Sequence, residues 1–222
     1  MAYWSAEKAT KACLSTLEMG PKAKEPGVAE FISAEAAGYN AQLMVVACGG
    51  PADTTTLALV AAAHQTGGNV ICIVPNHQDL ISSKNFLGIF ANQVQFMVGK
   101  EGQEIIMVLN QADFVLIDCN FMNHEEIVKL VQIGGNMQKG IVVVGYNAFS
   151  CKGWSIWRSC GSKTKLLPIG EGLLVTRFRE NWVSPKCGCG MNKSRGRWVV
   201  KVDKYTGEEH IYKIRVPRGK VI

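Results

Sequence analysis

Short apolar runs alternate with amphipathic stretches along most of this chain. The runs VVAC (45–48), VICIV (70–74), FVLID (114–118) and IVVVGY (141–146) are brief and rich in β-branched residues, as parallel strands covered by helices on both faces require. Between them the apolar positions recur at helical spacing. Ser5 is placed to cap a first helix whose Ala9, Ala12, Cys13 and Leu17 share one side, and Gly20-Pro21 stops it. A second helix is predicted over about 26–37. Then follow strand 43–48, helix 54–65, strand 69–74, helix 77–89, strand 94–98, helix 101–111, strand 113–118, helix 124–133 and strand 140–146. Asn123 and Glu126 resemble a capping pair for the helix after Asp118.

Two late strands, near 166–168 and 172–178, add an antiparallel edge hairpin. The pattern predicts an α/β fold: a doubly wound, mostly parallel sheet with an antiparallel C-terminal edge. Beyond it, Trp198, Val200 and Val202, then His210, Tyr212, Ile214 and Val216, alternate around Tyr205-Thr206-Gly207. They read as a β-hairpin whose opposite face carries Lys201, Lys213 and Arg215.

Charge divides the chain at the same place. The net charge is +6 over 222 residues. Residues 179–222 hold eleven Lys or Arg against four Asp or Glu, whereas residues 1–178 hold thirteen against fourteen. A nearly neutral domain, 1–178, is therefore joined to a basic extension, 179–222, suited to an acidic partner or nucleic acid. No apolar run reaches the ~18 residues of a membrane span, and the N-terminus lacks the basic-then-apolar order of a secretory signal. The expectation is a soluble cytoplasmic or nuclear protein without a membrane partner. Its oligomeric state is not fixed by the pattern. Cys48, Cys72 and Cys119 fall at apolar strand runs, which suits reduced thiols. Cys187-Gly-Cys189 is too closely spaced for a zinc site by itself, and Cys151 and Cys160 are the only nearby thiols to complete one.

In doubly wound folds ligands bind beyond the carboxyl ends of the strands, where strand order reverses. That points to residues 49–54, 74–77, 99–103, 118–121 and 146–148. The first of these, Gly49-Gly50-Pro51, ends a strand and leads straight into a helix, so backbone N–H groups can approach a ligand closely. Asp118, at the end of another strand, either caps the following turn or serves as a ligand-site carboxylate. Trp154 and Trp157 suit either shielding of the core or cover for the pocket mouth.

The ordered segments VVACGGPADTTTLALVAAA, GGNVICIVPN, VGKEGQEIIMVL, ADFVLIDCN, IVVVGYN and LLPIGEGLLVTRF resemble S-adenosylmethionine-dependent O-methyltransferases of the catechol and caffeoyl-CoA type, over roughly residues 5–178. The whole chain, including WSAEKATKA, resembles more closely a plant family of methyltransferase-like proteins defined as a domain of unknown function. The resemblance implies a class I methyltransferase-like Rossmann fold. It also implies cofactor contacts at Gly49, Gly50, Asp53, Thr54, Asn76, Glu101, Gly102 and Asp118.

The same resemblance implies losses. Ala47 stands where the family has an acidic residue, Asp53 replaces the second glycine of the turn, and Val74 replaces the carboxylate that holds the ribose hydroxyls, with Asn76 a partial substitute. Of the metal ligands, Asp118 matches and Asn147-Ala148 replaces an Asp-Asn pair, so Asp118 and Asn147 are weak candidates and no metal is expected. Phe121 stands where a lysine base is often found. That leaves Asp118 and His124 as weak catalytic candidates, His124 in the usual solvated setting of a first helical turn.

Three readings follow: a catalytically degenerate methyltransferase-like protein acting as a binding or regulatory module, with S-adenosylmethionine affinity weak or lost; an active metal-independent methyltransferase on an unknown acceptor; or a nucleic-acid or acidic-partner binder using Lys193, Arg195 and Arg197.

Overall fold

The computed structural model describes residues 4–21, 27–99, 103–121, 124–134, 140–150, 157, 163–178, 196–202 and 209–215. The chain divides into two compact units, Met1–Ser184 and Pro185–Ile222.

The larger unit contains helices α1 (Ala6–Met19), α2 (Val28–Gly38), α3 (Thr54–Thr66), α4 (His77–Leu87), α5 (Gln103–Gln111) and α6 (His124–Gly134). Its strands are β1 (Leu43–Ala47), β2 (Asn69–Val74), β3 (Val94–Val98), β4 (Phe114–Asp118), β5 (Ile141–Tyr146), β6 (Lys163–Leu167) and β7 (Leu173–Phe178). They form one sheet in the order β3-β2-β1-β4-β5-β7-β6. Neighbours from β3 to β5 run parallel, and β7 pairs antiparallel with both β5 and β6. In the smaller unit β8 (Gly196–Val202) and β9 (Glu209–Arg215) form an antiparallel pair. The doubly wound sheet and its antiparallel edge are thus as the sequence predicts.

Alternation along each strand sends side chains to two cores. Val46, Cys48, Val70, Cys72, Leu116 and Val144 join buried residues of α1, α2 and α3 on one face. On the other, Val45, Ile71, Ile73, Val115, Ile117 and Val143 meet Ile105 and Leu109 of α5, Ile127, Val128 and Val131 of α6, and Trp157.

Local chemistry sets the helix starts. Ser5 accepts the Lys8 N–H, Asp53 that of Thr55 and Asn76 that of Asp79, so each supplies one of the donors left open at a helix N-terminus with an acceptor. One expectation is corrected: α4 stops at Leu87 rather than reaching 89. Gly88 caps it, and the chain tightens into a 3₁₀ turn over Gly88–Gln93 before entering β3.

A polar tie joins early and late elements. The Arg177 guanidinium on β7 donates to the Glu35 carboxylate on α2 and lies 4.8 Å from the centre of the Tyr39 ring. Glu35 is buried, so its charge is held by this pair instead of by water.

Candidate functional site

The order of strands reverses between β1 and β4, which are adjacent and both parallel, and their carboxyl ends meet at the turn after β1. Cys48 extends the ladder by donating its N–H to the Ile73 carbonyl. Gly49 then passes beneath Asp118. A β-carbon at Gly49 would lie 2.8 Å from Asp118 Oδ2 and 3.3 Å from the Phe121 nitrogen. The need for glycine here therefore has a source inside the protein: the carboxylate at the end of β4 occupies the space a side chain would take. At Gly50 a β-carbon would have no neighbour within 4 Å among the described residues, so among them the open side of the turn lies one residue further on.

Gly49→Ala is expected to cost about 1–3 kcal/mol through overpacking. The Asp118→Ala change should recover part of that loss in the double variant, with a coupling of at least about 0.5 kcal/mol in a denaturant cycle. Strict additivity would show that Asp118 is not what Gly49 makes room for.

The next residues of the loop are fixed from within. Ala52 donates its N–H to Ser83 Oγ on α4, at 2.8 Å, and Ser83 in turn donates to the Asp79 carbonyl. The Asp53 carboxylate accepts from both the backbone N–H and the hydroxyl of Thr55, at 2.8 and 2.6 Å. Thr54 opens the helix behind this cap. Asp53, matched in sequence to a cofactor-facing glycine, is thus an N-cap. Its negative charge sits at the helix N-terminus, the position where an anionic ligand group would be most favoured.

Tyr146 ends β5 and is buried. Burial pushes the phenol's pKa far above its ordinary value, and the nearby Cys48, Asp53 and Asp118 push it the same way. The Cys48 thiol is also raised, first by its contact with Cys72, whose Sγ lies 3.7 Å away, and then by burial. Among the described residues Cys13, Cys48 and Cys72 carry free thiols. Residue 146 falls within a strand-end segment that the sequence points to, whereas nothing in the sequence singles out Ser83 on α4. Ser83 acts through contacts that no local pattern encodes.

The remaining candidates are placed as follows. Val74, at the end of β2, is fully buried and belongs to the apolar core. Asn76 is committed to α4: its Oδ1 accepts the Asp79 N–H at 2.9 Å and its Nδ2 donates to the Asp79 carboxylate at 2.8 Å. Asp118 Oδ1 accepts from the Asn120 N–H and from Asn147 Nδ2, both at 2.9 Å, so it caps its own turn and ties it to the end of β5. Asn147 holds the left-handed conformation, φ 56°, that presents its amide to Asp118.

His124 departs from the solvated setting expected of it. It is buried, and its Nδ1 lies 2.8 Å from the Phe121 carbonyl, which makes that nitrogen the proton donor. Phe121 is itself core. Trp157 packs directly over Gly145, where a β-carbon would come within 2.7 Å of the indole ring, so of the two readings for this residue the structure takes core shielding. Glu101, Gly102, Asn123, Cys151, Trp154, Cys160, Cys187, Cys189, Lys193 and Arg195 lie outside the described residues.

Among the described residues a divalent cation would find few ligands here. Asp118 and Asn147 do come together, but through the amide N–H₂, which leaves one carboxylate where a hard cation takes several oxygens. Among the described residues no three His, Cys, Asp or Glu side chains converge on a point. An S-adenosylmethionine-like ligand finds the strand-end crevice and an open side at Gly50, but no carboxylate on β2 to hold ribose.

Residues 1–214 match the family described as "Protein of unknown function (DUF1442)". The chain belongs to the DUF1442 family. No curated protein matches it. Among solved structures, the DUF1442 chain is similar to an SAH-bound methyltransferase from Podospora anserina, with 11% identity, a TM-score of 0.57 and coverage of 80% of this chain and 90% of that one. A methyltransferase from Geobacter sulfurreducens is 16% identical, with a TM-score of 0.53 and coverage of 78% and 90%. An O-methyltransferase from Bacillus cereus in complex with SAH is 11% identical, with a TM-score of 0.53 and coverage of 79% and 92%. At these identities the likeness establishes a methyltransferase-like Rossmann fold for DUF1442. No helix among the described residues is long and apolar enough to cross a membrane.

Proposed function

We propose that this DUF1442 protein is a methyltransferase-fold binding or regulatory module in which metal-dependent methyl transfer has been lost. One observation carries the reading: polar groups around the β1–α3 turn that would meet a cofactor are engaged by the chain's own side chains. Ser83 holds the Ala52 N–H, Asp53 holds the Thr55 N–H, and Asn120 and Asn147 hold the Asp118 carboxylate. The buried Val74 at the end of β2 supports the same reading, because it offers ribose hydroxyls no acceptor. Each missing charge-assisted hydrogen bond is worth about 1.5–3 kcal/mol, or roughly a tenfold to hundredfold in affinity. Residues 179–222, with their excess of basic side chains, are assigned to an acidic partner.

Calorimetric titration with S-adenosylmethionine and S-adenosylhomocysteine tests the proposal. The expected result is no saturable heat up to millimolar ligand, whereas submicromolar binding of either compound would overturn it.

A further inference from the structure

We infer that β3 is a self-pairing edge through which two copies of this chain form a two-fold dimer with a continuous sheet. β3 ends the seven-stranded sheet, and among the described strands only β2 pairs with it. The Gly99 N–H donates to the Val74 carbonyl on β2, at 3.0 Å. Backbone groups of alternate residues point to the same side of a strand, so Gln95 and Met97 also face β2, while Val94, Phe96 and Val98 face outward. The Val94 N–H is taken by the Ala91 carbonyl of the preceding turn. The outward set is therefore the N–H groups of Phe96 and Val98 and the carbonyls of Val94, Phe96 and Val98.

This set is its own complement about a two-fold axis at Phe96. In an antiparallel pairing the Phe96 of each copy exchanges reciprocal N–H···O=C bonds with the other, and each Val98 N–H meets the Val94 carbonyl of the second copy. The strand reads VQFMV, which has no charged residue to oppose its like and no proline. Protected edges usually carry charged side chains or a proline on the strand itself, or a bulge, whereas here the first charges, Lys100 and Glu101, follow Gly99. The chain immediately before and after this edge also leaves large apolar side chains in water: Phe86 and Ile89 before it, Ile106 and Met107 after it. A free peptide strand would satisfy the same hydrogen bonds, whereas a second copy also brings its own exposed Phe86, Ile89, Ile106 and Met107.

Val98→Pro is the informative substitution, because the Val98 N–H faces away from β2 and proline there leaves the β2–β3 ladder intact. Light scattering on the full chain should give about twice the 24.2 kDa chain mass. The Val98→Pro protein should give the single-chain mass with an unchanged circular dichroism spectrum. Hydrogen exchange of the unmodified protein supplies a readout independent of that variant's folding. The Phe96 and Val98 amides should exchange at least about tenfold more slowly as concentration rises through dimer formation. Three results would each overturn the inference: a single-chain mass at the highest attainable concentration, a folded Val98→Pro dimer, or a dimer whose Phe96 and Val98 amides stay unprotected. Protection of those amides in a monomer would overturn it as well, since another part of the same chain would then cover the edge.

Discussion

Replacing Trp157 with alanine is expected to destabilise the larger unit by about 3–5 kcal/mol, measured by urea unfolding. Trp157 is among the largest fully buried side chains, and it lies where Gly145 leaves β5 bare, with Cys119 of the β4 turn beside it. Glycine at 145 and tryptophan at 157 are one packing solution, because a side chain at 145 would have to displace the ring. Truncation therefore leaves a cavity against strand backbone, which cannot collapse to fill it. The conservative variant separates packing from polarity. The indole Nε1 is buried without a hydrogen-bond partner among the described residues, so Trp157→Phe removes a polar group that returns nothing for its desolvation. Its cost should stay below about 2 kcal/mol. An alanine variant within about 1 kcal/mol of the parent would remove Trp157 from the core.

The second large effect is alkaline. Tyr146 and Cys48 both have folded pKa values raised above their ordinary values of 10.0 and 9.0. The sign follows from which state releases its protons first. Below about pH 9 both groups are protonated in the folded and unfolded chain, and their contribution to stability is fully present. As pH rises past those ordinary values the unfolded chain ionises while the folded chain does not, and stability falls by about 1.4 kcal/mol per pH unit for each group. Between about pH 9 and 11 Tyr146 alone is expected to remove about 1.4 kcal/mol, and Cys48 acts in the same direction. Unfolding midpoints collected across that range should show the decline in the parent protein and a shallower one in Tyr146→Phe and Cys48→Ala. A Tyr146→Phe slope equal to that of the parent would show that the phenol is not held neutral by the crevice.

The sheet was legible because strands buried on both faces leave uninterrupted β-branched runs, and VICIV and IVVVGY have no amphipathic helical reading. The starts of α1 and α3 were legible for a local reason too, since Ser5 and Asp53 immediately precede helical runs. The site was less legible. At Gly49 sequence shows that a glycine is needed but not what approaches it, and the structure supplies one such group, Asp118, a residue of a different strand. Asp53 and Asn76 read as ligand contacts for a similar reason: a polar residue just before a helix faces the crevice and caps the helix from the same position. His124 was misjudged because helical position alone does not reveal which face α6 turns toward the core.

The tie between Glu35 and Arg177 has a consequence for the order of assembly. The two residues are 142 positions apart, and β7 lies antiparallel against β5. While the chain is being synthesised, α2 emerges with a carboxylate whose counter-charge has not yet been made, so its final seat must wait for the last strands of the unit. The N-terminal helices are therefore expected to gain this contact only once residue 177 has been made. A nascent chain arrested before it would carry a full set of parallel strands and still lack the clasp that closes the fold.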